Sequence, residues 1–165
     1  MIRPLALGLA LWGATAGAPA PPLLPGEAQP RVFTPPAARH EHTLAVEAGA
    51  YVRVQVLPRD CDVVVTLRRA DGQPLAEVDD DWTDGGEELE WVGGAEGVYR
   101  LEVRSKRPAV AGSYEATLAE TRPATDADRT RVAAAGALWR GAQLLQEQKA
   151  ERTPEAVIAF EEARS

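Results

Sequence analysis

Gly97-Val98-Tyr99-Arg100-Leu101-Glu102-Val103 is followed, fifteen residues on, by Gly112-Ser113-Tyr114-Glu115-Ala116-Thr117-Leu118. Each segment places Gly-x-Tyr ahead of apolar residues at every second position, the period of a strand that turns one face to a core. The glycine permits a tight entry to the strand. The tyrosine covers the end of the core while its hydroxyl reaches water or backbone. The same period runs upstream through Leu44, Val46 and Ala48, then through Val52, Val54 and Val56 as far as Pro58. Val63, Val65 and Leu67 continue it and stop at Asp71-Gly72, a strong turn pair. Pro74 to Val78 and the Leu89-to-Trp91 segment read as shorter strands. Seven short strands, each with one apolar face, predict a jelly-roll-like antiparallel β-sandwich over residues 40–121. Val54, Val65, Leu101 and Leu118 are its expected core.

On either side of this block the pattern changes. Arg3, the short apolar run Leu5 to Trp12 and Ala14-Thr15-Ala16 read as an export signal over residues 1–16. Residues 17–39 hold seven prolines and few large apolar groups, which predicts an extended linker. After Arg122-Pro123 the period becomes helical. Thr125-x-x-Asp128 resembles a capping box, and Val132, Ala135, Leu138, Trp139, Ala142 and Leu145 recur at three and four. Thr153-Pro154-Glu155 opens a second helix, with Ala156, Phe160 and Ala163 on one face. The fold class is therefore mainly β with C-terminal α, residues 125–165 forming a helical hairpin. Trp139, Leu145, Val157 and Phe160 have little chain to cover them, so this tail is expected to be incomplete and loosely held unless it docks on the sandwich.

Composition bounds the chemistry. Of 165 residues, 18 are Lys or Arg and 25 are Asp or Glu, a net charge of −7. Eight of the acids lie between Glu77 and Glu90, which accounts for the whole imbalance. An acidic chain is a poor nucleic-acid partner, since phosphate binding needs clustered Lys and Arg. No apolar run is long enough for an integral membrane segment once a signal is removed. Two His and one Cys exclude a multi-cysteine zinc site and a disulfide framework.

The 40–121 block resembles the bacterial pre-peptidase C-terminal type of β-sandwich. The residues that carry the likeness are Ala48-Gly49-Ala50-Tyr51, Asp62-Val63-Val64-Val65-Thr66-Leu67 before Asp71-Gly72, and the two Gly-x-Tyr strands. The helical tail resembles the opening unit of a tetratricopeptide (TPR) array, with Gly141 at the small position of the first helix and Ala156, Phe160 and Ala163 in the second. Gly141 and Ala156 stand three residues farther apart than that pattern, implying a longer turn. The order of signal, sandwich and helices is similar to secreted TPR proteins that end in a caspase-like CHAT peptidase domain. That resemblance implies an accessory, CHAT-associated role and a peptidase beyond Ser165.

Catalysis within these residues has little to stand on. Cys61 lies between Asp60 and Asp62, whose charge disfavours a thiolate, and His40 and His42 share a strand face with no third metal ligand nearby. No nucleophile elbow or phosphate-binding glycine loop is present. The acidic stretch is the best ligand candidate: Asp79, Asp81 and Asp84 offer oxygen ligands to calcium, although neither register fits an EF-hand. The competing reading is a solvated loop whose charge blocks edge-to-edge pairing. Trp82 and Trp91 flank the loop and, if both are exposed, suit carbohydrate stacking. The expectation is an exported, extracytoplasmic, non-enzymatic interaction module with no required cofactor. Its partner is a protein or downstream domain bound through the helical segment.

Overall fold

The computed structural model describes residues 20–34, 39–79, 86–146, 158 and 161–164. Eight strands precede one helix: β1 (Ala28–Phe33), β2 (Arg39–Val46), β3 (Ala50–Arg59), β4 (Val63–Arg68), β5 (Pro74–Val78), β6 (Glu87–Val92), β7 (Gly97–Ser105), β8 (Gly112–Pro123) and α1 (Asp126–Gln146). They form two four-stranded sheets, ordered β1-β8-β3-β6 and β2-β7-β4-β5, with every strand pair antiparallel. The inward residues of both sheets join in one core, to which Val54, Val65, Leu101 and Leu118 all belong. The period-two reading therefore holds through β2, β3, β4 and β7. At the Asp71-Gly72 turn, Gly72 takes a positive φ of 90° and the Asp71 side chain accepts from the Gln73 amide at 3.0 Å.

Three features depart from expectation. The proline-rich stretch is not simply a linker, because residues 28–33 form β1 on the edge of a sheet. Pro30 is tolerated there since an edge strand is paired on one side only. Upstream, the Leu23 amide donates to Thr43 O and the Thr43 amide to Pro21 O, both at 2.9 Å, while the Gly26 amide donates to Leu118 O. Leu23 and Phe33 are buried in the core, and this apolar anchorage outweighs the missing proline donors.

The second departure is a register shift between Arg53 and Val54 where β3 pairs with β8: Val54 faces Leu118, but Arg53 faces Glu120. Ala119 is the extra residue. Strict alternation would turn Glu120 and Arg122 inward with Leu118; the bulge turns them outward beside Arg53 and Tyr51.

Third, α1 is the one helix with a continuous span among the described residues, so the TPR-like hairpin is not seen as such. Most of the second helix expected after Thr153, including Val157 and Phe160, lies outside the described residues, although Ile158, Glu161 and Glu162 are helical. The signal over residues 1–16 also lies outside them.

The edge strands β5 and β6 lie side by side, and α1 packs along both. Trp139 docks there instead of waiting for further chain, whereas Leu138 and Leu145 are exposed.

Candidate functional site

The junction between sandwich and helix concentrates the polar chemistry of the molecule. Its centre is Asp128, a buried carboxylate in the first turn of α1. Asp128 Oδ2 accepts from the Thr125 amide at 2.8 Å and from Thr125 Oγ1 at 2.6 Å, while Thr125 Oγ1 accepts from the Asp128 amide at 3.2 Å. The capping box thus closes with aspartate in place of the usual Glu or Gln. Arg122 reaches the same carboxylate with two nitrogens, at 2.5 and 3.1 Å, and Arg131 adds a contact at 3.0 Å.

From there the network crosses into the sheet. Arg131 donates to both oxygens of Glu90 on β6, and the Tyr51 hydroxyl donates to Glu90 Oε1 at 2.6 Å. The Arg122 guanidinium lies 4.3 Å above the Tyr51 ring, and that of Arg131 is 5.8 Å from it. Arg122 also donates to Glu120, which pairs with Arg53. These contacts explain why Tyr51 is buried although it points away from the core. Hydrogen bonds from Arg122 and then Thr125 hold the Asp128 carboxyl well below the usual carboxylate range. The Arg131 hydrogen bond lowers Glu90, and burial followed by the Glu90 hydrogen bond pushes the Tyr51 phenol up to about 12. All of these groups keep one charge state at neutral pH. They are suited to fixing a helix, not to moving protons.

Beside the network, between the edge strands and α1, lies a cleft of about 180 Å³. Leu89, Trp91, Val132, Ala135 and Trp139 form its apolar walls, and Glu77, Glu88 and Glu90 also line it. The indole N–H groups of Trp91 and Trp139 are buried and have no hydrogen-bond partner among the described residues. Trp91 packs partly against the core, so it is not an exposed platform; Trp82 lies outside the described residues.

Of the three expected calcium ligands, Asp79 is among the described residues. Asp79 is ion-paired with Lys106, whose ammonium also reaches Asp62 at 3.3 Å. Asp81 and Asp84 lie outside the described residues, and no cluster of three metal-binding side chains exists among the described ones. The Cys61 thiol donates to Ser113 O at 3.3 Å, and burial, aided by Asp60 and Asp62, pushes it up, away from a thiolate nucleophile.

His40 and His42 belong to the opposite side of the sandwich, where β1 meets β2. His40 stacks on Phe33 with ring centroids 4.9 Å apart, and His42 Nε2 is 2.9 Å from the Tyr114 hydroxyl. Burial lowers His42 to about 4, with Arg31 and His40 adding repulsion. Of the two Gly-x-Tyr hydroxyls, that of Tyr99 reaches backbone, donating to Ala95 O at 2.8 Å, whereas that of Tyr114 reaches His42.

The junction is only half legible in the sequence. The Thr125/Asp128 pair could be read from its spacing, but Arg131 to Glu90 spans 41 residues and Arg122 turns outward only because of the bulge.

No helix among the described residues is long and apolar enough to cross a membrane. No protein-family model matches the chain, and no curated protein sequence matches it. Among solved structures, the chain is similar to the pre-peptidase C-terminal domain of collagenase from Bacillus anthracis, at 16% identity and TM-score 0.49, over 59% of this chain and 92% of that one. It is also similar to PliG from Aeromonas hydrophila, a periplasmic inhibitor of g-type lysozyme, at 15% identity and TM-score 0.45, over 62% of this chain and 96% of that one.

Proposed function

We propose that the chain is an exported, non-catalytic interaction module, a β-sandwich that fixes the first helix of a TPR-type array and presents it to a protein partner or downstream domain. One observation carries the reading: α1 is covered on two opposite sides. Trp139 and Val132 face the sandwich. Ala137 and Gly141 each stand two residues from Trp139, about 200° round the helix, and both are buried as well. Arg140 reaches Glu162 at 3.6 Å, which supports a second helix along that side. Small residues at Ala137 and Gly141 suit close helix–helix approach. Leu138 and Leu145, seven residues apart, leave an exposed apolar line on α1 for the next element.

The capping and ion-pair network sets the angle at which the helix leaves the sheet. In the CHAT-associated setting that the order of segments suggests, the module would be the accessory segment ahead of the peptidase.

Two variants test the array reading. Gly141→Leu should destabilise the chain by about 1–3 kcal/mol, because it overfills a packed position. Leu138→Glu should stay within about 0.5 kcal/mol, as an exposed substitution does. The opposite ranking in urea denaturation would show that α1 does not have this second face. Export is tested separately: mass spectrometry of protein made in a bacterial host should find residues 1–16 removed, and an intact Met1 in the cytoplasmic fraction would contradict it.

A further inference from the structure

A groove of about 730 Å³ opens at the end of the sandwich where β2 turns into β3. Leu24 and Pro25 of the N-terminal segment line it, together with Ala45 and Glu47 at the end of β2 and Glu96 and Val98 at the start of β7. Its volume is in the usual range for a ligand site, and Leu24 and Val98 are exposed in it.

The course of the backbone makes this groove an open sheet edge. Thr43 on β2 is sealed by the N-terminal segment: its amide donates to Pro21 O and its carbonyl accepts from the Leu23 amide, both at 2.9 Å. These groups therefore point away from β7, and alternation turns the amide and carbonyl of Ala45 the same way. The N-terminal segment does not follow β2 that far. It crosses to the other sheet, where Pro25 bridges Leu118 and the Gly26 amide donates to Leu118 O. No other backbone group among the described residues takes up the Ala45 donor and acceptor at the edge of the groove. An extended chain answers both at once, with a carbonyl and an amide of its own.

Charge selects the kind of chain. Val46 pairs with Gly97, so one residue farther Glu47 comes opposite Glu96. Both are exposed, both line the groove, and neither side chain has an ion pair or hydrogen bond among the described residues. Like charges facing each other across strands repel. The two arginines nearby are used elsewhere: Arg122 by Glu120 and Asp128, while Arg129, beside Gly49, donates to Ala124 O. A cationic side chain held between the two carboxylates would relieve the repulsion. Successive side chains of an extended chain point to opposite sides. A basic residue over Glu47 and Glu96 therefore turns its neighbours towards the crossing segment, with Leu24 and Pro25.

We propose that the groove binds a short extended peptide of alternating basic and apolar residues, added to the edge of β2 at Ala45. The groove uses neither the exposed line of α1 nor its second covered side, so this proposal and the array reading stand or fall separately.

The probe is the pentapeptide acetyl-Lys-Val-Lys-Val-Lys-amide, with acetyl-Glu-Val-Glu-Val-Glu-amide as the charge-reversed control. Each is titrated to about 5 mM into the ¹⁵N-labelled full chain in about 150 mM NaCl, which screens long-range attraction to an acidic protein. The basic peptide should shift the amide signals of Ala45, Glu47 and Val98 saturably, with a Kd of about 0.1–1 mM. Hydrogen exchange at the Ala45 amide should slow as it gains an acceptor. The double variant Glu47→Gln/Glu96→Gln should weaken binding about tenfold and leave the strand signals in place, because both side chains are exposed. No saturable shift with the basic peptide would overturn the proposal. So would shifts confined to the acidic stretch from Glu77 to Glu90, equal affinity for the acidic peptide, or unchanged affinity in the double variant.

Discussion

The two sides of the sandwich are closed by different chemistry. Where β1 meets β2, closure is aromatic and neutral: Phe33, His40, His42 and Tyr114 pack ring against ring, and the N-terminal segment straps β2 to β8. Where β5 meets β6, closure is ionic and open: α1 is held by paired charges, and a cleft remains beneath it. Close-packed rings leave no room for a ligand and gain from every contact. Ion pairs at a surface are worth less but fix direction, since a bidentate arginine accepts few geometries. The first side holds the domain together. The second aims a helix.

Removing the largest ring should hurt most. Tyr114→Ala is expected to cost about 3–5 kcal/mol, and Tyr114→Phe only about 1 kcal/mol, because the latter keeps the packing and loses one hydrogen bond. Urea denaturation checks the pair. A loss under about 1 kcal/mol for the alanine variant would mean that the aromatic side is not the stronger closure.

Acid should separate the two sides by pH window. The unfolded chain protonates His42 near its ordinary value of 6.5, while the folded chain resists until about 4. The unfolded state therefore binds more protons in that interval. Stability is full above about pH 6.5 and falls by roughly 2 kcal/mol on approach to pH 4, after discounting for partial solvent access. Asp128 and Glu90 lie below the ordinary carboxylate range, so what they contribute is present above about pH 4 and lost only below it. In His42→Phe the first phase should shrink to the contribution of His40, which burial and then Arg31 also hold low, and the second should remain. A single phase below pH 4 in the unmodified chain would remove the distinction.

On the ionic side, Thr125→Ala should cost about 1 kcal/mol, the usual effect of losing an N-cap side chain. Its signature is local: fraying of the first turn of α1 with the strands unchanged, read by amide exchange. Calcium should have the smallest effect. Lys106 already neutralises Asp79, so about 1 mM calcium should move Tm by less than about 1 °C. A rise of several degrees that Asp81→Asn abolishes would instead establish an ion site in the acidic loop.

What the sequence disclosed follows the range of the forces involved. Strand period and the Asp71-Gly72 turn are local, and Val54, Val65, Leu101 and Leu118 fall inside as their alternation predicts. The Thr125/Asp128 cap is local too. β1 is not legible in the sequence because proline density masks a strand whose stability comes from Phe33 reaching a core built by distant residues. The junction was hidden for a related reason. One extra residue at Ala119 reverses the facing of Glu120 and Arg122, and nothing in the alternation marks where a bulge will fall. Asp79 shows the converse: an acid in an acidic run suggests a cation site, while its partner Lys106 comes from the end of β7, 27 residues away.

The central claim is that the junction holds α1 rigidly on the sandwich. Amide hydrogen exchange in the unmodified chain and in Asp128→Asn tests it most directly. In the unmodified chain, the amides between Thr130 and Ala142 should be protected to the same order as those of β3. In Asp128→Asn they should lose protection while β3 and β8 keep theirs, because the network is cut and the core is not. Rapid exchange along α1 in the unmodified chain would contradict the claim, as would equal protection of α1 in both proteins.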